Sequence, residues 1–527
     1  MDFIKLVENS SWCSQDWDFL KTDEETLKLL QQCTDFSLPE NIQDSVENLI
    51  EKSRTFTVPF PIDSIRLIKL KETRSEEQLQ KNIKSTYPFI HSRVLVLIAR
   101  FLVYKRKYGT TIEKELYKNM SIPEFIDRLL LKRAAVFIGS RDRYKLLNGK
   151  SGVDGWESIG KSEEVSPLTL DSCLSYDEMK ISSFLYVSGH TECINDGNRQ
   201  NAGKPSDDVQ PTARIIGLIG PRFKRKNRMD YEDAIICKDQ NCPNKGYEKG
   251  EDKSVWKQLW TQMTKKDHQD RVMWRKLWAE FYQVPVHTYE EVIEKVTESN
   301  LTEEQKYTNR FVPIKDKVYI QSVVFDNEVY YKRLRILAEC ALLEADSAAA
   351  EEGTSAYLYI VGCGLGVWRI SNHQNDVYFL TFLERIKNLL DAGCIQHVSD
   401  VNFAYISYNS AILNNEEKEL FLENKNHPNG GIKVTVKNSE PSSPLSGPHS
   451  HKLLVMTYPW DSNAHPGNEF WLGQLTSSGD PAAACSTQVA ELHNAHINPR
   501  VSGYNVRVAD THGIKKMSTY CAKYNNA

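Results

Sequence analysis

From Tyr87 to about Lys132, apolar residues in PFIHSRVLVLIARFLVYKRKY and IPEFIDRLLLKRAAVF fall three and four apart, which predicts core-facing helices. Ser121-Ile122-Pro123-Glu124 supplies a capping start for the second. Upstream, residues 1–85 are charged and broken by VPFPID, with shorter helical runs in TDEETLKLLQQCTDF and NIQDSVENLIEKS; they read as a helical or irregular leader. The period then changes. ISSFLYVSGHTECI leans toward strand, NDGNRQNAGKPSDD is a polar loop, and ARIIGLIG is a second strand, so residues 86–240 hold helices plus the first strands of a core. Residues 241–320 are more highly charged, yet Trp256 and Trp260, and Trp274 and Trp278, are paired four apart. That spacing predicts a Trp-bearing helical insertion burying an aromatic face, in preference to a base-stacking platform.

Residues 321–527 alternate helix and strand. The helix YYKRLRILAECALLEADSAAAEEG leads to the strand SAYLYIV, the loop GCGLGVW, the helix NDVYFLTFLERIKNLLDAG and the strand VNFAYISY. NSEPSSPLSGPHS reads as a mobile insertion, and the strand KLLVMTYP follows. Alternation with glycine-rich loops at strand ends predicts a three-layer α/β core whose ligand lies across those ends.

Charge and cysteine usage narrow the classes. With 527 residues, 66 Lys and Arg against 70 Asp and Glu, no global field favours nucleic acid, an anionic membrane or a basic partner. Eleven cysteines without framework spacing are expected to be reduced thiols. MDFIKLVENSSW lacks the order of a signal peptide, and no apolar run approaches about 20 residues. A cytoplasmic protein is expected, with the nucleus also open to it. RFKRKNR, from Arg222, reads as a solvated face, and Cys237 and Cys242 lack a second pair at zinc spacing. His465 and His493 lie near acids, but no serine or cysteine nucleophile motif accompanies them.

Three loops carry candidate chemistry. Gly362, Cys363, Gly364, Leu365, Gly366, Val367 and Trp368 stand directly after a strand and before a helix, where glycines let backbone N–H groups approach a diphosphate and the helix dipole assists. A dinucleotide fingerprint would need glycine at Val367, and an acid at a second strand end rather than Glu384 within a helix. A turn required only for close packing is the bland reading. The second loop, from Asp461 to Gln488, holds Asp461, Asn463, Asn468, Glu469 and Asp480; crowding its carboxylates raises at least one pKa, as a general acid requires. Asp480-Pro481 also fits a helix N-cap followed by proline at the first helical position. The third, with Asn195, Asp196, Asn198, Arg199 and Asn201, reads either as a turn or as an arginine fixing a nucleotide.

A strand, a glycine-rich diphosphate loop and a separate strand-ending loop with asparagine and acids together resemble the macrodomain, an ADP-ribose-binding α/β fold. TYPWDSNAHPGNEFWLG and SGDPAAACSTQ resemble the divergent, MavL-like, arginine-specific ADP-ribosylhydrolase family. The resemblance implies a three-layer macrodomain-like core with helical additions at the N-terminus and in the middle. It also implies removal of mono-ADP-ribose from arginine side chains of proteins, ubiquitin among the candidates, with ADP-ribose as ligand and product. Neither cofactor nor metal is implied, and no nucleic-acid or membrane partner. Ordinary macrodomains place the asparagine-bearing loop first; the order here is reversed, so either the core is circularly permuted or the two loops exchange roles. The paired-glutamate signature of polymer-cleaving relatives is absent. Carried over by position, Asp461, Glu469 and Asp480 are catalytic, while residues 362–368, Asn463, Asn468, Asn195, Asp196 and Arg199 contact ADP-ribose. The alternatives are a non-catalytic ADP-ribose reader and an S-adenosylmethionine methyltransferase; the acid expected just before the glycines of the latter is replaced by Ile360 and Val361.

Overall fold

The computed structural model describes residues 3–10, 12–13, 17, 20, 22–247, 265–296, 301–409 and 419–526. Ten strands form one mixed sheet: β1 Tyr87–His91, β2 Tyr186–Glu192, β3 Thr212–Leu218, β4 Ala356–Val361, β5 Val398–Ala404, β6 Glu419–Glu423, β7 Gly431–Val436, β8 Leu453–Pro459, β9 Arg507–Asp510 and β10 Gly513–Lys516. Their order across the sheet is β6-β7-β5-β4-β8-β3-β2-β1-β9-β10. The run β7-β5-β4-β8-β3 is parallel throughout, so these five strands deliver their carboxyl ends to one edge. Every residue of β1, β2 and β5 is buried, as strands covered on both faces require. The helix Asn327–Glu351 lies against β1, β3, β4, β5 and β8 to β10 and ties the sheet together.

The predicted helices form at Ser92–Tyr108 and Ile122–Leu131, the second with a full Ser121/Glu124 capping box. PFIH, included in the first helical run, is instead β1. Pro88 pushes its predecessor toward extended backbone, and His91 becomes the helix N-cap, accepting from Arg93 N. The leader supplies the helices Glu24–Gln32, Val46–Thr55 and Glu76–Lys84. Trp274 and Trp278 are buried on the helix Lys265–Tyr282, against Phe101 and Phe184; Trp256 and Trp260 lie outside the described residues.

The stretch expected to be a mobile insertion is tied down. Ser442 N donates to Asp196 O at 2.9 Å, Gln210 N donates to Ser442 O at 2.8 Å, and the Tyr359 hydroxyl donates to Ser439 O at 2.6 Å. Its small and proline residues follow the surface of neighbouring loops. All eleven cysteines are free. Among the described residues, no helix is long and apolar enough to cross a membrane.

Candidate functional site

The site is set by three neighbouring strand ends. β8 pairs with β4 as far as Met456 opposite Tyr359, and with β3 as far as Pro459 opposite Leu218, so the loops that follow leave the sheet side by side. Asp461, just beyond β8, is buried. Its Oδ1 accepts from Asn463 N at 3.0 Å and its Oδ2 from Asn468 Nδ2 at 3.5 Å. Asn468 also exchanges two hydrogen bonds with the backbone of Phe137, at 2.9 and 3.0 Å, so its amide anchors this loop.

Asp480 does not cap its helix. The helix runs Gly479–Ser486 with Ser478 at the N-cap, and Asp480 lies in the first turn. Glycine opens the helix because a Cβ at Gly479 would stand 2.8 Å from Pro459 Cγ. The Asp480 carboxylate reaches back across the loop, Oδ1 accepting from Gly467 N at 2.7 Å. Its Oδ2 is buried and has no partner. Glu469, in the short turn Asn468–Leu472, is half-buried, and Oε2 accepts weakly from Ser478 Oγ at 3.4 Å.

Burial raises all three acids. Burial pushes Asp461 up to about 6, against the pull of Arg222 and the Asn463 N–H, with Glu469 adding to the rise. Asp480 is held well above the carboxylate range, first by burial and then by Glu469 and Asp461, only partly offset by the Gly467 N–H. Burial also raises Glu469.

Two arginines escaped the sequence reading. Arg133 Nε donates to Leu129 O at 2.9 Å, and Nη2 donates to Ser182 Oγ at 2.7 Å; the guanidinium lies 4.1 Å from the Trp460 ring centroid. Burial lowers it to about 9, with Asp461 and Asp480 among the groups that oppose the fall. Arg222 was expected on a solvated face and is instead 2% exposed, its guanidinium paired with Asp142. It follows β3 directly, so the strand end carries it inward; that placement was the available signal. Arg133 gave none, lying just past the last turn of an ordinary amphipathic helix.

Unsatisfied polar atoms concentrate here. Ser462 Oγ, both amide atoms of Asn463, His465 Nε2 and Asp480 Oδ2 are buried without a partner. His465 packs edge-on to Phe56 and His496, while His493 meets the Tyr458 hydroxyl at 3.0 Å; neither forms a nucleophile pair.

The glycine loop divides in two. Gly364 adopts φ +77°, and a Cβ there would lie 2.6 Å from Pro221 O, so this glycine serves close packing between the β4 and β3 loops. Gly366 faces open space beside exposed Val367. Leu365 and Cys363 are buried, Gly362 and Trp368 half-buried. The following helix begins only at His373; residues 368–372 separate the glycines from its N-terminus, so the expected helix directly behind the loop is displaced. Trp368 O accepts from Phe223 N and Ile370 O from Lys317 N, so the spacer is held between the loop after β3 and the end of the strand Phe311–Asp316.

The Asn195 loop lies along the helix Gly479–Ser486. Asn195 Nδ2 donates to Cys485 O at 3.0 Å, and exposed Arg199 brings Nη2 to 3.9 Å from the Cβ position of Gly479. Within the loop, Asp196 Oδ1 accepts from Asn198 N at 2.9 Å, and Asn198 Nδ2 donates to Glu440 at 3.0 Å.

The sequence profile of the family described as ADP-ribosylhydrolase MavL-like matches residues 47–523. The ADP-ribosylarginine hydrolase CG2909 of Drosophila melanogaster is 35% identical over 503 residues, covering 94% of this chain and 93% of the relative. The ADP-ribosylarginine hydrolase CG3568 of the same organism is 35% identical over 503 residues, covering 94% and 92%.

Proposed function

The chain belongs to the MavL-like ADP-ribosylhydrolase family, and from that premise we propose that it hydrolyses the N-glycosidic bond joining ADP-ribose to arginine side chains of proteins. The observation that carries the assignment is the loop after β8. It gathers three carboxyl groups with raised pKa values and four side chains whose buried polar atoms lack partners. Buried polar groups are normally satisfied, so their concentration in one loop marks a place for a polyhydroxylated ligand.

The residues divide the chemistry. Cleavage develops positive charge on the ribose anomeric carbon, which nearby carboxylate density stabilises. Asp461, ionised above about pH 6, takes a proton from the attacking water. The water oxygen bonds to the anomeric carbon as the bond to the guanidine nitrogen breaks, and the departing guanidine takes up the proton that Asp461 received from the water, leaving as its cation and restoring the Asp461 carboxylate. Asp480, kept protonated by its surroundings, donates through the free Oδ2 to a ribose hydroxyl. Half-buried Glu469 faces the incoming guanidinium, where a carboxylate discriminates arginine from neutral side chains. The diphosphate then extends toward residues 362–368, and Asn463 meets the ribose. Asn195, Asp196 and Arg199 border the Asp480 helix, where they close the ligand site. The fold reading that accompanies this assignment is a macrodomain-like core with its glycine loop ahead of its carboxylate loop. ADP-ribosylated ubiquitin is a protein substrate of the expected kind.

The test is release of ADP-ribose, followed by mass spectrometry, from proteins modified on arginine and on serine. Turnover of the arginine conjugate alone is expected, with Glu469→Ala and Asp480→Ala each losing it while still folded. Full activity in both variants, binding without turnover, or turnover of the serine conjugate would overturn the proposal.

A further inference from the structure

If the ADP-ribose reading is right, the ligand places a dianionic diphosphate next to three carboxyl groups. Charges of one sign a few ångströms apart in a water-poor site repel by several kcal/mol at an effective dielectric near 20, so a cation is needed between them. Arg222 occupies that position. Its guanidinium lies 5.9 Å from the ring centroid of Trp368 in the glycine loop and 4.6 Å from that of Phe137, whose backbone holds Asn468 of the carboxylate loop. Asp461 is close enough for Arg222 to be the strongest opposing influence on its ionisation. The stem is fixed from below: Arg222 N donates to Asp230 Oδ2 at 2.8 Å, and Nη2 is shared between Asp142 and, at 3.4 Å, Gly139 O.

The rest of the guanidinium is unused. Nε and Nη1 are buried without a hydrogen-bond partner. Asp142 also accepts from the Tyr176 hydroxyl and stands 3.6 Å from Arg225 Nε, so it does not saturate Arg222. A buried guanidinium with two free donors is costly unless something anionic completes it. We infer that Arg222 is a ligand-contacting residue that receives the diphosphate of ADP-ribose through Nε and Nη1, dividing the phosphate subsite from the acids. Arg199, by contrast, is exposed, with Nη2 3.9 Å from the Cβ position of Gly479 at the start of the Asp480 helix. Gly366 and Val367 form an open, exposed tip on the same loop as Trp368.

Calorimetric titration of the full chain with ADP-ribose, ADP and adenosine tests this. Wild type is expected to prefer ADP over adenosine. Arg222→Lys keeps the charge but lacks the planar pair of donors, and is expected to weaken ADP and ADP-ribose at least ten-fold while leaving adenosine unchanged. Asp142→Asn removes the partner without touching the ligand and should retain the preference even if its melting temperature falls. Parallel losses for all three ligands, or an unaltered ADP preference in Arg222→Lys, would show a structural role only. Should Arg222→Lys fail to fold, inorganic pyrophosphate must still displace ADP-ribose from wild type, and its failure to do so overturns the inference. Absence of ADP-ribose binding by wild type would instead defeat the functional reading itself.

Discussion

Asp461 and Asp480 share one loop and the same degree of burial, and their partners set them apart. Asp461 accepts hydrogen bonds on both oxygens and feels Arg222, whereas Asp480 accepts one and leaves an oxygen bare. The first therefore ionises near 6 and the second well above the usual range. The proposed mechanism uses Asp461 charged and Asp480 neutral, so the sign follows directly. The rate constant kcat/KM should rise through about pH 6 as Asp461 loses its proton, then fall at higher pH when Asp480 loses its own. Initial rates of ADP-ribose release between pH 4.5 and 9 read both limbs. Asp461→Asn should cost roughly 10²- to 10⁴-fold, and a flat profile in wild type would refute the division of roles. The acids and Asn463 were visible in the sequence because they crowd one short segment. Arg133 and Arg222 were not, since a cation's meaning depends on what distant chain folds against it.

At the scale of elements, the loops after β3 and β4 are locked by glycines. Gly364 has φ +77° and its Cβ position meets Pro221 O, while a Cβ on Gly220 would lie 2.2 Å from the carbonyl carbon of Cys363. Gly364→Ala combines a left-handed backbone with a clash against main chain, and should lower stability by about 1–3 kcal/mol. Gly366→Ala meets open space and should leave the melting temperature unchanged while weakening ADP-ribose, if its backbone borders the diphosphate as proposed. Thermal melts with and without ADP-ribose separate the two; equal destabilisation by both substitutions would contradict the distinction. Periodicity revealed the long helices and the alternation after residue 321, since each is local. It placed PFIH in a helix and left residues 438–450 loose, because β1 is fixed by pairing with β2 and β9, and the loop by bonds to Asp196 and Gln210.

The whole molecule closes through contacts between chain ends that no local pattern discloses. Phe89 on β1 pairs with Arg507 on β9. The leader packs Phe56 and Phe60 on Trp471, with centroids 5.3 and 4.9 Å apart, beside the acidic loop. Buried Glu491 joins these parts: it accepts from Ser53 Oγ, and from Leu67 N at 2.6 Å. Burial pushes its carboxyl up to about 7, against Ser53, Leu67 and Arg66. A raised acid makes the folded state bind a proton that the unfolded chain gives up near 4.5, so its contribution is present below that pH and is lost as pH rises through 7. For Glu491 alone the loss is about 3 kcal/mol. Buried histidines act in the opposite direction. His190 and His493 are lowered to about 3 and His373 to about 4, first by burial, so their contribution is present above 6.5 and falls away as the unfolded chain takes up protons below it. Between pH 4.5 and 7 the three histidines outweigh the one acid, so together these groups raise stability toward a plateau above about pH 7, and Glu491 makes that rise shallower. Melting temperatures from pH 4.5 to 8.5 should show it, and Glu491→Gln should steepen the rise between pH 4.5 and 7 while leaving the plateau flat. A slope between pH 4.5 and 7 that the substitution does not change would remove Glu491 as the group that couples the leader to the fold.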